Sequence, residues 1–423
     1  MQNRRDFIKS ASVFSAMMAA APTIVSAQGA ARTFKVAVIG SGRRASEAFT
    51  NMAEAAKKMG HAIQLVAAHD FFLEEAQRRC KQFGCDEKFA FGGGDGYFKM
   101  LEVPGIEIVI LGAPPAFRPR HLDACIKAGK HVFAEKPIAV DPQGVRHVLE
   151  SAAAAKAKQL TLVTGTQRRH QGAYMRQALA FQKGQLGTIR GGNIYWCQAR
   201  GSIRPRKEGV TNAQYMCNNW MNWAEMSGDH IVEQHVHNID VANWFIGRYP
   251  RTAMGVGARV RRPTGNQYDF FSVDFDYGEG LHIHSLARQI PGCADRVGEL
   301  FSTELAEISG GGKIRRYDGQ EVKLEDLGNE GNPYVNEHSA LLDSVINGKQ
   351  LNEGETIAYA TAAAVMGRLS AYTGQVVRMS DILTNKDSPF YTMNFKPAAL
   401  DFEGSADVVL PEEGVAPRPG KDK

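Results

Sequence analysis

Lys136 ends the run Ala128-Gly129-Lys130-His131-Val132-Phe133-Ala134-Glu135-Lys136-Pro137, in which an apolar strand closes on a cation followed at once by proline. Open α/β sheets carry their chemistry at the carboxyl ends of strands, which makes Lys136 the first candidate for a group that meets a reacting atom. The plain alternative is a solvated cap at a strand end. A second group lies in Gly228-Asp229-His230-Ile231-Val232-Glu233-Gln234-His235-Val236-His237-Asn238-Ile239-Asp240. On a continuous helix Glu233 and His237 share a face, His230 lies one turn earlier on that side, and His235 points roughly the opposite way. An imidazole beside a carboxylate is an acid/base pair, although His230 and His235 could equally be satisfied core residues. His230, Glu233 and His237 also offer nitrogen and oxygen ligands, but their spacing is not His-Glu-x-x-His and no further ligand cluster accompanies them, so no metal is expected.

The third group is Gly40-Ser41-Gly42-Arg43-Arg44-Ala45, entered from the strand Phe34-Lys35-Val36-Ala37-Val38-Ile39 and opening a helix. Such a turn brings backbone N–H groups close to a pyrophosphate at a helix N-terminus, where the helix dipole favours negative charge. Gly40 makes the tight turn, Gly42 permits close approach, and Ala45 lets the helix pack. Asp70 ends the second strand, where an acidic side chain accepts from adenosine ribose hydroxyls; the local alternative is an N-cap for the next helix. Phe71 follows it with no arginine for a 2′-phosphate, so NAD is favoured over NADP. Ser41, Arg43, Arg44, Ala113, Pro114, Glu135 and Lys136 complete the candidate nucleotide contacts. Strand, turn and strand-end lysine together suggest a dinucleotide redox enzyme.

These residues resemble the glucose-fructose oxidoreductase, inositol dehydrogenase and rhizopine-catabolism (Gfo/Idh/MocA) oxidoreductases over nearly the whole chain beyond its first residues. The likeness rests on Gly40 to Ala45, Ala128 to Pro137, Gly184-Gln185-Leu186-Gly187 and Gly228 to Asp240. It implies that Lys136 sits beside the nicotinamide and contacts the substrate hydroxyl, where desolvation and the nicotinamide charge ease proton loss. It also implies that His237 is the acid/base partner and that the Lys136-Pro137 bond is often cis. Glu233 stands where relatives usually carry aspartate; it would orient His237 or bind a neighbouring hydroxyl. Asp240 completes a His-x-x-Asp pattern in a capping or supporting role. Arg118 replaces a histidine common in relatives. The likeness further implies an open antiparallel sheet that packs against its copy, giving a homodimer or homotetramer.

Other positions are weaker candidates. Arg169, in Thr166-Gln167-Arg168-Arg169-His170, could grip a sugar through bidentate contacts or merely start a helix in solvent. Tyr215, Trp220 and Trp223 could stack on a sugar ring, with His230 as a further substrate contact, although large aromatics are more often core. His282 and His284 alternate with apolar residues and should decorate an exposed strand face.

These groups need a framework. From Phe34 to about Thr164 strand and helix patterns alternate: helices at Arg43 to Met59, Phe72 to Phe83, Arg120 to Ala128 and Pro142 to Lys158, with strands at Ile63 to Ala68, Ile106 to Leu111, His131 to Ala134 and Leu160 to Thr164. That alternation predicts a doubly wound parallel sheet, a Rossmann domain over 33–165. Beyond it, over 166–390, a helix at Tyr174 to Lys183 is followed by alternating strands at Ile189 to Cys197, Ala253 to Val260, Tyr268 to Tyr277 and Leu281 to Arg288. They predict an α+β domain with a large, mainly antiparallel open sheet, interrupted by a helix from Asp229 to Phe245 and followed by one from Glu355 to Tyr372. A C-terminal extension, 391–423, is expected to be partly loose, with Pro411 to Lys423 a tail.

A chain of 423 residues, 43% hydrophobic and 22% charged, has the composition of an ordinary two-domain globular protein. Its net charge of +5 leaves no footprint for nucleic acid. Six cysteines without CxxC spacing give little support to zinc or redox motifs. The first 27 residues hold Asn3-Arg4-Arg5-Asp6-Phe7-Ile8-Lys9, a short apolar run broken by Pro22, and Val25-Ser26-Ala27, the pattern of a twin-arginine signal too short for a membrane span. That route exports folded proteins, which predicts a periplasmic enzyme carrying NAD tightly. Its expected substrate is a sugar, polyol or glycoside. Two alternatives stand beside it: a glycoside hydrolase or lyase that recycles bound NAD in each turnover, and a non-catalytic nucleotide-bearing sensor or scaffold.

Overall fold

The structure, a computed structural model, describes residues 31–328, 330–394 and 408–420. The expected export signal lies outside the described residues. Six parallel strands form the first sheet: β1 (Thr33–Ile39), β2 (Ala62–Asp70), β3 (Ala90–Gly92), β4 (Ile108–Leu111), β5 (His131–Ala134) and β6 (Leu162–Thr164), in the order β3-β2-β1-β4-β5-β6. Helices α1 (Arg43–Lys58), α2 (Leu73–Gln82), α3 (Gly96–Leu101), α4 (Arg118–Lys127) and α5 (Pro142–Ala157) join them. All four residues of β4 are buried, as continuous apolar runs must be when both faces of a parallel sheet are covered. Strand order reverses between β1 and β4, so their carboxyl ends, at Gly40 and Gly112, open the crevice in which such sheets take ligands.

After α6 (Gly172–Gln182) the second sheet begins with β7 (Ile189–Gln198). Helices α7 (Asn212–Asn218), α8 (Ala224–Ser227), α9 (His230–Glu233) and α10 (Val236–Ile246) follow, then β8 (Thr252–Ala258), β9 (Phe270–Asp276) and β10 (His282–Gln289). Strands β11 (Arg296–Thr303), β12 (Ala306–Ser309) and β13 (Ile314–Arg316) extend this sheet beyond the expected strands. With β14 (Val377–Arg378) the eight strands run β13-β12-β11-β7-β10-β9-β8-β14. Only the β7–β10 pairing is parallel. Alternate residues of β9 are buried, and His282 and His284 lie on the exposed face of β10, as the alternation predicts. Among the described residues no helix is long and apolar enough to cross a membrane.

Three expectations are corrected here. The helix α11 (Pro333–Asn347) was absent from the sequence reading, and it returns to the first domain: Val335, Leu341 and Leu342 share a core with Phe34, Val36 and Phe49. The boundary drawn at residue 166 therefore separates sequence but not layers. Asn332, whose side chain accepts from the Tyr334 N–H, Pro333 in the first turn and Gly348 after the last are the signals that could have found α11. The long α12 (Gly354–Thr373), followed by α13 (Met379–Leu383), matches the expected late helix. The helix expected over Asp229 to Phe245 is broken at Gln234 and His235, because the His235 ring bonds the Ser285 hydroxyl of β10 at 2.7 Å and draws the chain onto the sheet. The described part of the C-terminal extension that holds the expected tail, 408–420, is docked: Val408 is buried, Tyr268 donates to the Pro417 carbonyl at 2.5 Å, and the Gly420 N–H reaches the Thr373 carbonyl.

Candidate active site

The turn after β1 has the form a phosphate needs. Gly40 has φ +84°, and a Cβ built on it would overlap the Ala113 amide, so only glycine fits there. A Cβ on Gly42 would meet nothing within 4 Å, and Gly42 caps α1 with no side-chain acceptor and no acidic residue in the first turn. The first-turn N–H groups of this 16-residue helix are left open to an anion, a cradle that fits a nucleotide pyrophosphate. Buried Arg79, which sequence reasoning missed, braces the turn: its guanidinium bonds the Ser41 carbonyl at 2.6 and 3.1 Å and the Gly42 carbonyl at 3.2 Å. Gly40→Ala is expected to cost roughly 2 kcal/mol or more through the left-handed backbone alone and to abolish nucleotide binding. Urea unfolding with an NAD titration checks both.

The candidate nucleotide residues divide on their geometry. The Ser41 N–H donates to Asp70 Oδ2 at 2.7 Å and its hydroxyl to the His69 carbonyl, so Ser41 shapes the turn from inside. Arg43 is exposed beside Glu47, while Arg44 pairs with Glu135 at 2.7 Å and lies 3.7 Å from buried Glu337 on α11. Pro114 follows Ala113 at the end of β4 and precedes a single helical turn. Asp70 also takes the Phe72 N–H at 3.0 Å, so it caps the next segment and faces the glycine turn at once. Burial pushes the Asp70 carboxyl up to about 6, against the pull of those two N–H donors. Ribose hydroxyls donate to the ionised carboxylate, so binding favours deprotonation. The Kd for NAD is expected to rise as pH falls through about 6 and to lose that dependence in Asp70→Asn, as calorimetry on either side of that pH would show.

Of the candidate catalytic groups, Lys136 and Glu233 are brought into contact. Lys136 follows β5, and its bond to Pro137 is cis. Its ammonium donates to the Glu233 carbonyl at 2.5 Å and lies 3.3 Å from Glu233 Oε1, with both side chains about nine-tenths buried. The helix break explains the first contact. The His237 N–H turns to the Gln234 carbonyl, which leaves the Glu233 carbonyl to accept from lysine. Glu233 thus holds Lys136, a contact distinct from the expected orienting of His237 or binding of a neighbouring hydroxyl. The His237 ring stacks on Trp196 at 5.7 Å. Burial, then the charges of Lys136, Arg168 and Arg44, push His237 well below the usual histidine range and keep it neutral. Buried Arg118 donates to the Pro137 carbonyl beneath Lys136.

Two family models match the chain: "Oxidoreductase family, NAD-binding Rossmann fold" over residues 34–164 and "GFO/IDH/MocA C-terminal domain" over 174–290. The chain belongs to the Gfo/Idh/MocA oxidoreductase family. It is 25% identical to scyllo-inositol 2-dehydrogenase (NAD(+)) of Bacillus subtilis (strain 168) over 57% of this chain and 64% of that protein. It is 33% identical to inositol 2-dehydrogenase of Pseudomonas syringae pv. syringae over 29% of this chain and 35% of that one. These matches span less than two thirds of either relative. The fold is similar to that of aldose-aldose oxidoreductase from Caulobacter crescentus, with a TM-score of 0.65 and 16% identity over 82% of this chain and 100% of that one.

Within this Gfo/Idh/MocA chain several expected substrate contacts are placed elsewhere. Arg169 makes its bidentate contact with Asp240, at 2.8 Å from each of two nitrogens, and is buried there. Its guanidinium is therefore committed within the protein, and Asp240 is its supporting partner. His230, at the start of α9, lies 2% exposed with its ring 5.1 Å from the Phe271 ring of β9. Tyr215 and Trp220 join an apolar cluster with Trp223 and Phe72. Among the described residues no group of three His, Cys, Asp or Glu is arranged to hold a metal ion.

Beyond Arg79, sequence reasoning gave no role to three further contributors to the site. Trp196, half-buried on β7, forms the platform for His237. Arg168 lies over that ring and pairs with buried Glu299, which also accepts from Asn238 at 2.7 Å. Asp229 has φ +65° and no exposure, and it takes the N–H groups of His230 and Tyr268 and the Tyr372 hydroxyl at 2.6 to 2.9 Å, pinning the start of α9. A non-glycine residue at positive φ leaves no mark in sequence, and Trp196 reads there as one aromatic of a strand.

Proposed function

We propose that this chain is an NAD-dependent oxidoreductase that moves a hydride between the nicotinamide and a CH–OH carbon of a sugar, polyol or glycoside, with NAD held tightly. The observation that carries the reading is the Lys136 ammonium, fixed by both oxygen groups of Glu233 beside a neutral His237. The family description as an NAD-binding oxidoreductase and the open N-terminus of α1 supply its cofactor half. The activities of the inositol dehydrogenases to which the chain is similar support the substrate class.

The turn Gly40 to Ala45 and Asp70 would hold NAD, which when bound would supply the hydride acceptor. The chain's own residues manage the proton. Neutral His237 accepts the proton of the substrate hydroxyl, and the Lys136 ammonium donates to the same oxygen, offsetting the negative charge that grows on it. Glu233 keeps that ammonium in place. In the reverse direction His237 returns the proton to the ketone oxygen. Export by the twin-arginine route fits this picture, since it would carry an enzyme already loaded with nucleotide, and self-association through the open sheet gives a dimer or tetramer.

The test is to add a panel of sugars, polyols and glycosides to purified protein shown to hold NAD and to follow nicotinamide absorbance. Reduction by one substrate class, lost in His237→Ala, is the expected result. Bound nucleotide that none of the panel reduces would overturn the reading.

A further inference from the structure

The segment between β7 and α9 begins beside the Trp196–His237 stack and reaches Cys217, whose buried thiol feels the Asp70 charge. It links the β7 side of the site to the residues that follow Asp70. Its inner side packs on Phe71 and Phe72, which follow Asp70, and on Ala116 and Phe117, which follow Pro114. As a roof, this packing covers the residues that directly follow Asp70, beside which an adenosine held there would lie.

The roof has little stability of its own. It holds only the seven-residue α7, one 3-10 turn and the four-residue α8, each too short to persist alone. On its outer side it meets the C-terminal segment. Val408, 1% exposed, and Leu410 complete the same apolar cluster, and the Asn212 side chain donates to the Val408 carbonyl at 2.8 Å. Glu413 accepts from the Tyr215 hydroxyl at 3.3 Å, from the Gly265 N–H at 3.0 Å and from the Thr264 hydroxyl. The Gly414 N–H closes the contact on the Gly265 carbonyl at 2.8 Å. One carboxylate thus ties a helix of the roof to the 264–265 turn behind it.

We propose that residues 408–414 are a strap that holds the roof shut over the adenosine end of the groove, with Glu413 as its positioning residue, and so sets how slowly the nucleotide leaves. The proposal rests on the nucleotide reading above. It assigns a role in cofactor retention to a segment remote in sequence from both domains' motifs, and it supplies the means by which an exported enzyme keeps NAD.

The test uses the full-length protein loaded with NAD, the nucleotide remaining per chain being followed during dialysis. Glu413→Ala and Val408→Asp are expected to release NAD at least about tenfold faster, because a charged hydrogen-bond set or a buried apolar contact is lost. Turnover at saturating NAD should stay close to wild type, a split that general unfolding would not give. Glu413→Gln keeps an acceptor for the Gly265 N–H and should lie between, with wild-type thermal stability. Release at the wild-type rate from all three variants would overturn the strap and leave the groove intact. A wild-type protein that takes up no NAD at all would overturn the groove reading and the strap with it.

Discussion

Replacing Lys136 by methionine is expected to lower kcat for hydride transfer by about a thousandfold, the range general acid/base groups supply, with nucleotide binding nearly unchanged. Methionine keeps the stem that packs under the groove and removes only the charged donor. The Glu233 carbonyl and carboxylate then face no ammonium, and nothing offsets charge on the substrate oxygen. Because Glu233 acts through Lys136, Glu233→Gln should slow the parent enzyme but add little in the methionine background. A double-mutant cycle on single-turnover rates reads this directly. Additive losses would place Glu233 on the substrate itself. A methionine variant as fast as the parent would remove Lys136 from the chemistry and favour a nucleotide-bearing sensor.

The second large effect is on stability. Asp240→Ala is expected to destabilise the protein by roughly 3–5 kcal/mol, since it strands a buried guanidinium, and to lower the thermal midpoint by about 10 °C. The pair is bidentate, with side-chain exposures of 7% and 2%, and Arg169 also lies over the Trp244 ring. The double replacement Arg169→Met with Asp240→Leu should recover most of the loss, because no buried charge then lacks a partner. Thermal unfolding of the three variants provides the measurement. If Arg169→Met instead kept its midpoint and raised only the KM for sugar, Arg169 would be a substrate contact after all.

Much of the framework was legible in the chain. Ile106 to Leu111 reads as a buried parallel strand because it is apolar but for Glu107, and the strand forms over Ile108–Leu111 with all four residues buried. Gly40 reads as the tight turn because no other residue tolerates that backbone, and its φ of +84° agrees. Lys136 and His237 stood out by type and position; Lys136 is held by Glu233, and His237, four residues on, stacks on Trp196. The unread parts share one cause, a partner distant in sequence. His235 breaks its helix for a serine 50 residues on, and Arg169 is claimed by an aspartate 71 residues on. The tail from Pro411 looked loose because it is rich in proline, glycine and charge, whereas backbone carbonyls, one carboxylate and the apolar Val408 and Leu410 just before it dock the described part.

What the sequence determined by itself is therefore local: the strand that ends on Lys136, the glycine turn with its open helix, and the identity of the imidazole and carboxylates available for proton transfer. Backbone conformation follows from neighbours a few residues apart, so those features need no fold to be seen. The tertiary structure decided every pairing: Glu233 with Lys136, Arg169 with Asp240, and Glu413 with the roof. A charge buried among apolar side chains must be met by whatever partner packing brings within reach, and packing brings partners from anywhere in the chain.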